Sequence, residues 1–299
     1  MCNFLQAFDG SQISHAVERR LEIRPPHPVR ATDSHGWTMS SIGKEIRLRR
    51  ILRGGKTLIV AMDHGVSSGP AAGLEDIRKA VANVAKGGAT AVVLHKGVVR
   101  VAKDYFDEGL SLVLHLSAST SISPRADRKI LVTQVDEAIS YGADAISVHV
   151  NVGGEDDDRM IEDLGTTAMA CDRFGFPLLA MMYPRGSKIK NPYDVDVVKH
   201  VARVGAELGA DVVKTLYTGA PETFKEVVRG CPVPVVVAGG PKLDSDRAAL
   251  EMVEGALFGG AVGVSMGRNI FQAKDPIGMT RSIARMIFDG ASVDEVYRG

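Results

Sequence analysis

The sequence predicts an α/β fold, a single-domain (β/α)8 TIM barrel. Three observations point there: eight short apolar runs, helical patterns between nearly all of them, and polar residues at the end of every run. The runs cover 58–62, 91–94, 112–116, 145–150, 178–182, 211–214, 235–238 and 263–266. Most are rich in Val, Ile, Leu and Ala with little polar alternation, as parallel strands covered on both faces require.

The elements follow in chain order. Segment 42–52 is amphipathic and basic, and is expected as an extra helix closing the barrel floor. Helical patterns occupy 74–86, 133–141, 157–174, 195–208, 221–228, 245–258 and 276–288, whereas 97–109 carries no clean pattern. Several helix ends repeat one device, a glycine and a small residue just before the next strand: Gly88-Ala89, Gly142-Ala143-Asp144, Gly209-Ala210-Asp211 and Gly260-Ala261. The glycine supplies a left-handed cap and the small residue lets helix approach sheet. A doubly wound open sheet is the competing fold, because it is built from the same units.

Length and composition narrow the function classes. A chain of 299 residues is long enough for one such barrel. Lys plus Arg equals Asp plus Glu at 36 each, so no overall charge advertises nucleic acid or a membrane surface. No apolar stretch approaches the roughly 18 residues of a membrane span. Three widely spaced cysteines, Cys2, Cys171 and Cys231, fit a reducing cytoplasm better than a disulfide framework. Residues 1–38 stand apart from the barrel domain, 39–299. They hold Arg19, Arg20, Arg24, Arg30, Pro25-Pro26 and three of the eight histidines, without apolar periodicity. The expectation is a disordered extension, or upstream sequence joined by a misassigned start with Met39 the functional beginning.

In barrels of this type the C-terminal strand ends form the active face. Here they carry Asp63-His64-Gly65, His95-Lys96-Gly97, His115 to Ser117, His149 to Asn151, Tyr183 to Gly186, Lys214-Thr215, Gly239-Gly240-Pro241 and Gly267-Arg268-Asn269. Lys214 stands out. Strand alternation places it with Val212 on one face, which can be the lumen. Desolvation there is expected to lower its pKa and supply free amine for imine formation with a ketone or aldehyde. The competing reading is a lysine snorkelling to solvent. Tyr183, on the adjoining fifth strand, and Asp63, at the end of the first, suit proton donor and acceptor, or else structural hydrogen bonding.

Gly239-Gly240 exposes backbone N–H groups and Gly267-Arg268 adds a guanidinium, a combination suited to phosphate; a plain tight turn is the alternative. His64, His95, His115 and His149 could orient substrate or complete core networks. A metal site is the lesser reading for them, and no metal or organic cofactor is expected.

Taken together, Ala-Met-Asp-His-Gly (61–65), Met-Met-Tyr-Pro-Arg-Gly (181–186), Val-Val-Lys-Thr (212–215), Val-Ala-Gly-Gly-Pro (237–241) and Gly-Arg-Asn-Ile-Phe-Gln (267–272) resemble the archaeal-type class I aldolase family. The likeness spans nearly all of 40–296. It implies Lys214 as the Schiff-base lysine, Tyr183 as proton donor and Asp63 as proton acceptor. It implies substrate contacts from His64, Gly65, Val66, Ser67, Pro184, Arg185, Gly239, Gly240, Gly267 and Arg268. Val-Ser-Ser-Gly-Pro (66–70) and His-Val-Asn-Val-Gly (149–153) look like a synthase branch serving an alternative route to 3-dehydroquinate and aromatic amino acids. The expected partners are a phosphorylated keto-sugar, 6-deoxy-5-ketofructose 1-phosphate, and a small aldehyde, L-aspartate semialdehyde. A homo-oligomer is also implied. Fructose-bisphosphate aldolases of the family tend to carry tryptophan where this chain has Met181, which favours the synthase. A class I fructose-bisphosphate aldolase, a histidine-metal aldolase and a non-catalytic sugar-phosphate binder are the competing functions.

Overall fold

The structure is a computed structural model whose described residues are 42–106 and 109–297; the expectation for 1–38 lies outside them. Eight parallel strands close into a barrel: β1 (Thr57–Ala61), β2 (Ala91–Leu94), β3 (Ser111–His115), β4 (Ala145–Val152), β5 (Leu178–Pro184), β6 (Val212–Thr215), β7 (Val235–Ala238) and β8 (Gly263–Met266). Each pairs with its sequence neighbours and β1 closes on β8. The open sheet is therefore excluded. All eight runs read from sequence are strands, with ends shifted by at most two residues.

Strand alternation divides the core into two shells. Ile59, Ala61, Ala91, Val93, Val113, Ala145, Leu179, Met181, Val212 and Val236 fill the lumen. The alternate residues, among them Val60, Val92, Leu112, Val148, Ala180 and Val213, pack outward against the helices. Full burial of a Leu, Ile or Val side chain contributes about 1.5–3 kcal/mol, so a one-residue slip that turned a strand over would forfeit both shells.

The four glycines of the repeated device all take positive φ: +95° at Gly88, +64° at Gly142, +97° at Gly209 and +96° at Gly260. Two of these turns also carry a base-of-strand aspartate. Asp144 accepts from the Leu112 N–H at 3.1 Å and Asp211 from the Leu178 N–H at 2.8 Å. The expected floor helix, Ile42–Ile51, docks onto the same carboxylates. Arg50 pairs with Asp144 at 3.0 Å, and buried Lys44 bridges Asp211 and Asp172. Ile51, with Leu48, seals the lumen from below.

Two connections differ from the sequence reading. Segment 97–109 holds a helix, Lys96–Ala102, and a 3-10 turn, Lys103–Tyr105. The helix expected over 133–141 shrinks to Glu137–Ser140. Glu137 accepts from the Gln134 N–H and pairs with Lys96 at 2.9 Å at the start of this short helix. A short antiparallel ribbon, Ser117–Ala118 with Ile130–Leu131, was not expected; it lifts 119–129 over the ends of β3 and β4.

Candidate active site

The C-terminal strand ends surround a cavity of about 540 Å³. Lys214 reaches it from β6 and is 5% exposed. It stands in register with Met181 on β5 and with Val236 on β7. Sharing Val212's face, it enters the lumen as alternation requires. Its Nζ lies 3.8 Å from the Met181 Sδ, a weak and uncharged acceptor. Tyr183, two residues beyond Met181, lines the same cavity, its ring 4.7 Å from that of His149.

Asp63 enters from the end of β1 and lines the cavity together with Lys214 and Tyr183. Its Oδ2 is 3.7 Å from His115 Nε2, and its Oδ1 is 3.9 Å from His64 Nδ1. Burial works to raise its pKa, but His115, His64, Lys214 and His95 outweigh it and hold the carboxyl well below the usual carboxylate range. The histidines move the other way. Burial pushes His115 down to about 3, and lowers His64, His95 and His149 as well. At neutral pH the site therefore presents an ionised carboxylate among uncharged imidazoles.

Partners fix those imidazoles. His115 Nδ1 is 2.8 Å from the Ser147 Oγ, its register neighbour on β4, and His95 stacks edge-on to it at 5.1 Å. His149 Nε2 is 2.8 Å from the Asn151 Oδ1. Among the described residues, no group of three or more His, Cys, Asp or Glu is arranged to hold a metal ion.

Across the ring, β7 and β8 bring Gly239, Gly240, Gly267 and Arg268 together at the cavity wall. Arg268 donates to the Gly240 carbonyl at 2.9 Å. Buried Asn269 donates to the Gly239 and Pro241 carbonyls, and accepts from the Leu243 N–H at 2.8 Å. Gly267 is required by close approach, since a Cβ there would lie 2.5 Å from the Ala61 oxygen. Among the described residues, His64 Nδ1, Ser265 Oγ and Arg268 Nε are buried in this region without a hydrogen-bond partner.

Of the other residues expected to touch substrate, His64, Ser67, Pro184 and Arg185 line the cavity. Gly65 and Val66 are not on its wall, and Val66 is 42% exposed. They lie on the helical turn His64–Ser68, where His64, Ser67 and Ser68, at i, i+3 and i+4 spacing, take the inner face. Sequence reasoning missed Ser119, Asp127 and Lys129, which also line the cavity. They sit in the loop of the ribbon, and only their polarity after β3 marked them.

The model of the DeoC/LacD family aldolases matches residues 57–273. The 2-amino-3,7-dideoxy-D-threo-hept-6-ulosonate synthase 1 of Archaeoglobus fulgidus is 42% identical, covering 85% of this chain and 95% of that protein. The 2-amino-4,5-dihydroxy-6-oxo-7-(phosphonooxy)heptanoate synthase of Streptomyces griseus is 44% identical, over 79% of this chain and 86% of that one. An archaeal fructose-1,6-bisphosphate aldolase, solved with its catalytic lysine covalently bound to the carbinolamine intermediate, superposes with a TM-score of 0.75. It is 32% identical and covers 82% of this chain and 99% of its own. From its barrel, its buried lysine and these matches, the chain belongs to the DeoC/LacD family of aldolases.

Proposed function

We propose that this enzyme is a Schiff-base synthase of transaldolase type, joining three carbons of 6-deoxy-5-ketofructose 1-phosphate to L-aspartate semialdehyde. The product is 2-amino-3,7-dideoxy-D-threo-hept-6-ulosonate, the compound in the Archaeoglobus relative's name. The observation that carries the reading is Lys214: a nearly buried amine in the lumen, faced by a thioether and sharing one cavity with Tyr183 and ionised Asp63.

The steps balance without redox change. The Lys214 amine adds to the C5 ketone and water departs, leaving a protonated imine. A base takes the C3 hydroxyl proton, the C3–C4 bond breaks, and its electron pair passes to the imine. Hydroxypyruvaldehyde phosphate leaves and a three-carbon enamine remains. The enamine carbon attacks the aldehyde carbon of the acceptor, whose oxygen takes up a proton. Hydrolysis then frees Lys214 and the product. Asp63, a carboxylate at neutral pH, is the proton acceptor and Tyr183 the donor. Gly239, Gly240, Gly267 and Arg268 form the phosphate seat. This chemistry calls for no metal or organic cofactor.

A second reading has a specific observation behind it. The Streptomyces relative's product keeps a phosphonooxy group on carbon 7, where the other product has a methyl. A donor that retains its phosphate, as in fructose-bisphosphate cleavage, would use the Arg268 seat while bound to Lys214. The experiment is borohydride trapping on the peptide containing Lys214, followed by product analysis. The deoxyketo sugar phosphate plus aspartate semialdehyde is run beside fructose 1,6-bisphosphate. A Lys214 adduct and a phosphate-free seven-carbon amino keto acid are expected. Faster turnover of the bisphosphate, or a phosphorylated seven-carbon product, would reverse the ranking, and absence of an adduct would end the imine reading.

A further inference from the structure

The barrel ring has a second polar pole, half a turn from the Arg268 seat, over β3 and β4. Lys129 is 8% exposed and lines the cavity; its Nζ donates to the Ser119 Oγ. Among the described residues, no carboxylate lies within ion-pair distance of it. Burial and the neighbouring Arg185 lower its pKa, while Asp63 and Asp127 oppose them, so the ammonium is short of negative charge. Asp127, two residues earlier, also faces the cavity and pairs with Arg185 at 3.3 Å. The loop is held in place: buried Asn151 of β4 donates to the Asp127 carbonyl at 2.6 Å, and Ser119 donates to the Ala126 carbonyl at 2.7 Å.

A cation and a carboxylate two residues apart at one end of a cavity match a zwitterion. The two synthases that this chain resembles have products whose names both carry a carboxylate with an amino group on the adjacent carbon. We infer that Lys129, Asp127 and Ser119 form the subsite for the α-amino acid head of the incoming aldehyde, Lys129 taking the carboxylate and Asp127 the α-ammonium. This rests on the synthase reading. Lys129 and Lys214 line one cavity with Tyr183, so the acceptor's aldehyde end faces the Lys214 enamine while its head is held. The subsite also gives Asp127 a discriminating role, because a carboxylate at that position repels the second phosphate of a sugar bisphosphate.

The test is steady-state kinetics on Lys129→Gln, Lys129→Arg and Asp127→Asn, with borohydride trapping of hydroxyacetone at Lys214 in parallel. Acceptors are L-aspartate semialdehyde, succinic semialdehyde (no α-ammonium) and butanal (no charge). Lys129→Gln is expected to raise the KM for aspartate semialdehyde roughly 10- to 100-fold, the worth of a hydrogen bond between charged groups. The KM for butanal should change far less than that for aspartate semialdehyde, and Lys129→Arg should recover part of the loss. Asp127→Asn should raise the KM for aspartate semialdehyde and not that for succinic semialdehyde. Intact trapping with an unchanged KM in Lys129→Gln would overturn the subsite alone. Failure of the unaltered enzyme to trap hydroxyacetone would overturn the imine reading and the subsite with it.

Discussion

Lys214 and Met181 stand opposite each other in register on β6 and β5, with the lysine Nζ 3.8 Å from the methionine Sδ. The thioether offers the amine a soft neighbour without charge. Met181→Glu would replace it with a carboxylate that ion-pairs with the Lys214 side chain and occupies the space where the proposed imine forms. Loss of borohydride trapping at neutral pH, with the circular dichroism spectrum retained, is the expected outcome. Met181→Ala is expected to trap normally but to unfold more easily, by about 2–4 kcal/mol in urea, because it leaves a cavity in the lumen.

The neutral histidines make stability depend on pH in a defined sense. An unfolded histidine takes up a proton below about pH 6.5, whereas folded His115 does so only near 3. The unfolded state therefore binds more protons between these values, and stability falls as pH drops from 6.5 towards 3. Asp63, held below the usual carboxylate range, adds loss of the same sign at still lower pH. Urea midpoints measured from pH 7 to 4 should fall, and His115→Gln should make that fall shallower by up to one proton. An equal slope in the variant would remove His115 as the cause.

Glycines at the proposed phosphate seat differ in what lies against them. A Cβ on Gly267 meets the Ala61 backbone oxygen at 2.5 Å and the His64 Cε1 at 2.6 Å, and the backbone cannot yield cheaply. On Gly239 it meets the Cγ and Cβ of buried Met266 at 2.9 and 3.1 Å, side-chain atoms that must repack. Gly267→Ala is thus expected to raise the KM for the ketose phosphate roughly 100-fold, as for a displaced binding group, and Gly239→Ala less. Similar effects of the two would contradict this account of the seat.

The floor should report on stability and not on turnover. Lys44 is buried against Asp211, whose carboxyl is itself largely buried. Lys44→Met leaves that carboxylate without its cation, at a cost of about 3 kcal/mol. Thermal unfolding should fall accordingly while kcat holds, because Lys44 sits at the opposite end of the strands from Lys214.

The barrel was legible because its strands are apolar on both faces and its helix ends repeat one glycine device. Lys214 was legible because a cation at the end of such a run conflicts with its surroundings. The ribbon was not, since strands of two residues are too short to carry a period. Lys129 and Asp127 escaped for the same reason: they belong to a loop, and only closure of the ring brings them opposite Arg268. Gly65 and Val66, substrate contacts implied by the family likeness, lie off the cavity wall because a short helical turn leaves only some of its residues on the inner face.

Uncharged imidazoles have a further effect beyond the chemistry. With them silent, Lys129, Arg185 and Arg268 outnumber Asp63 and Asp127 around the mouth. The opening is then expected to attract anions, with a reach set by the ionic atmosphere, about 8 Å at physiological strength. Raising salt should slow capture of the sugar phosphate and spare the rate at saturation.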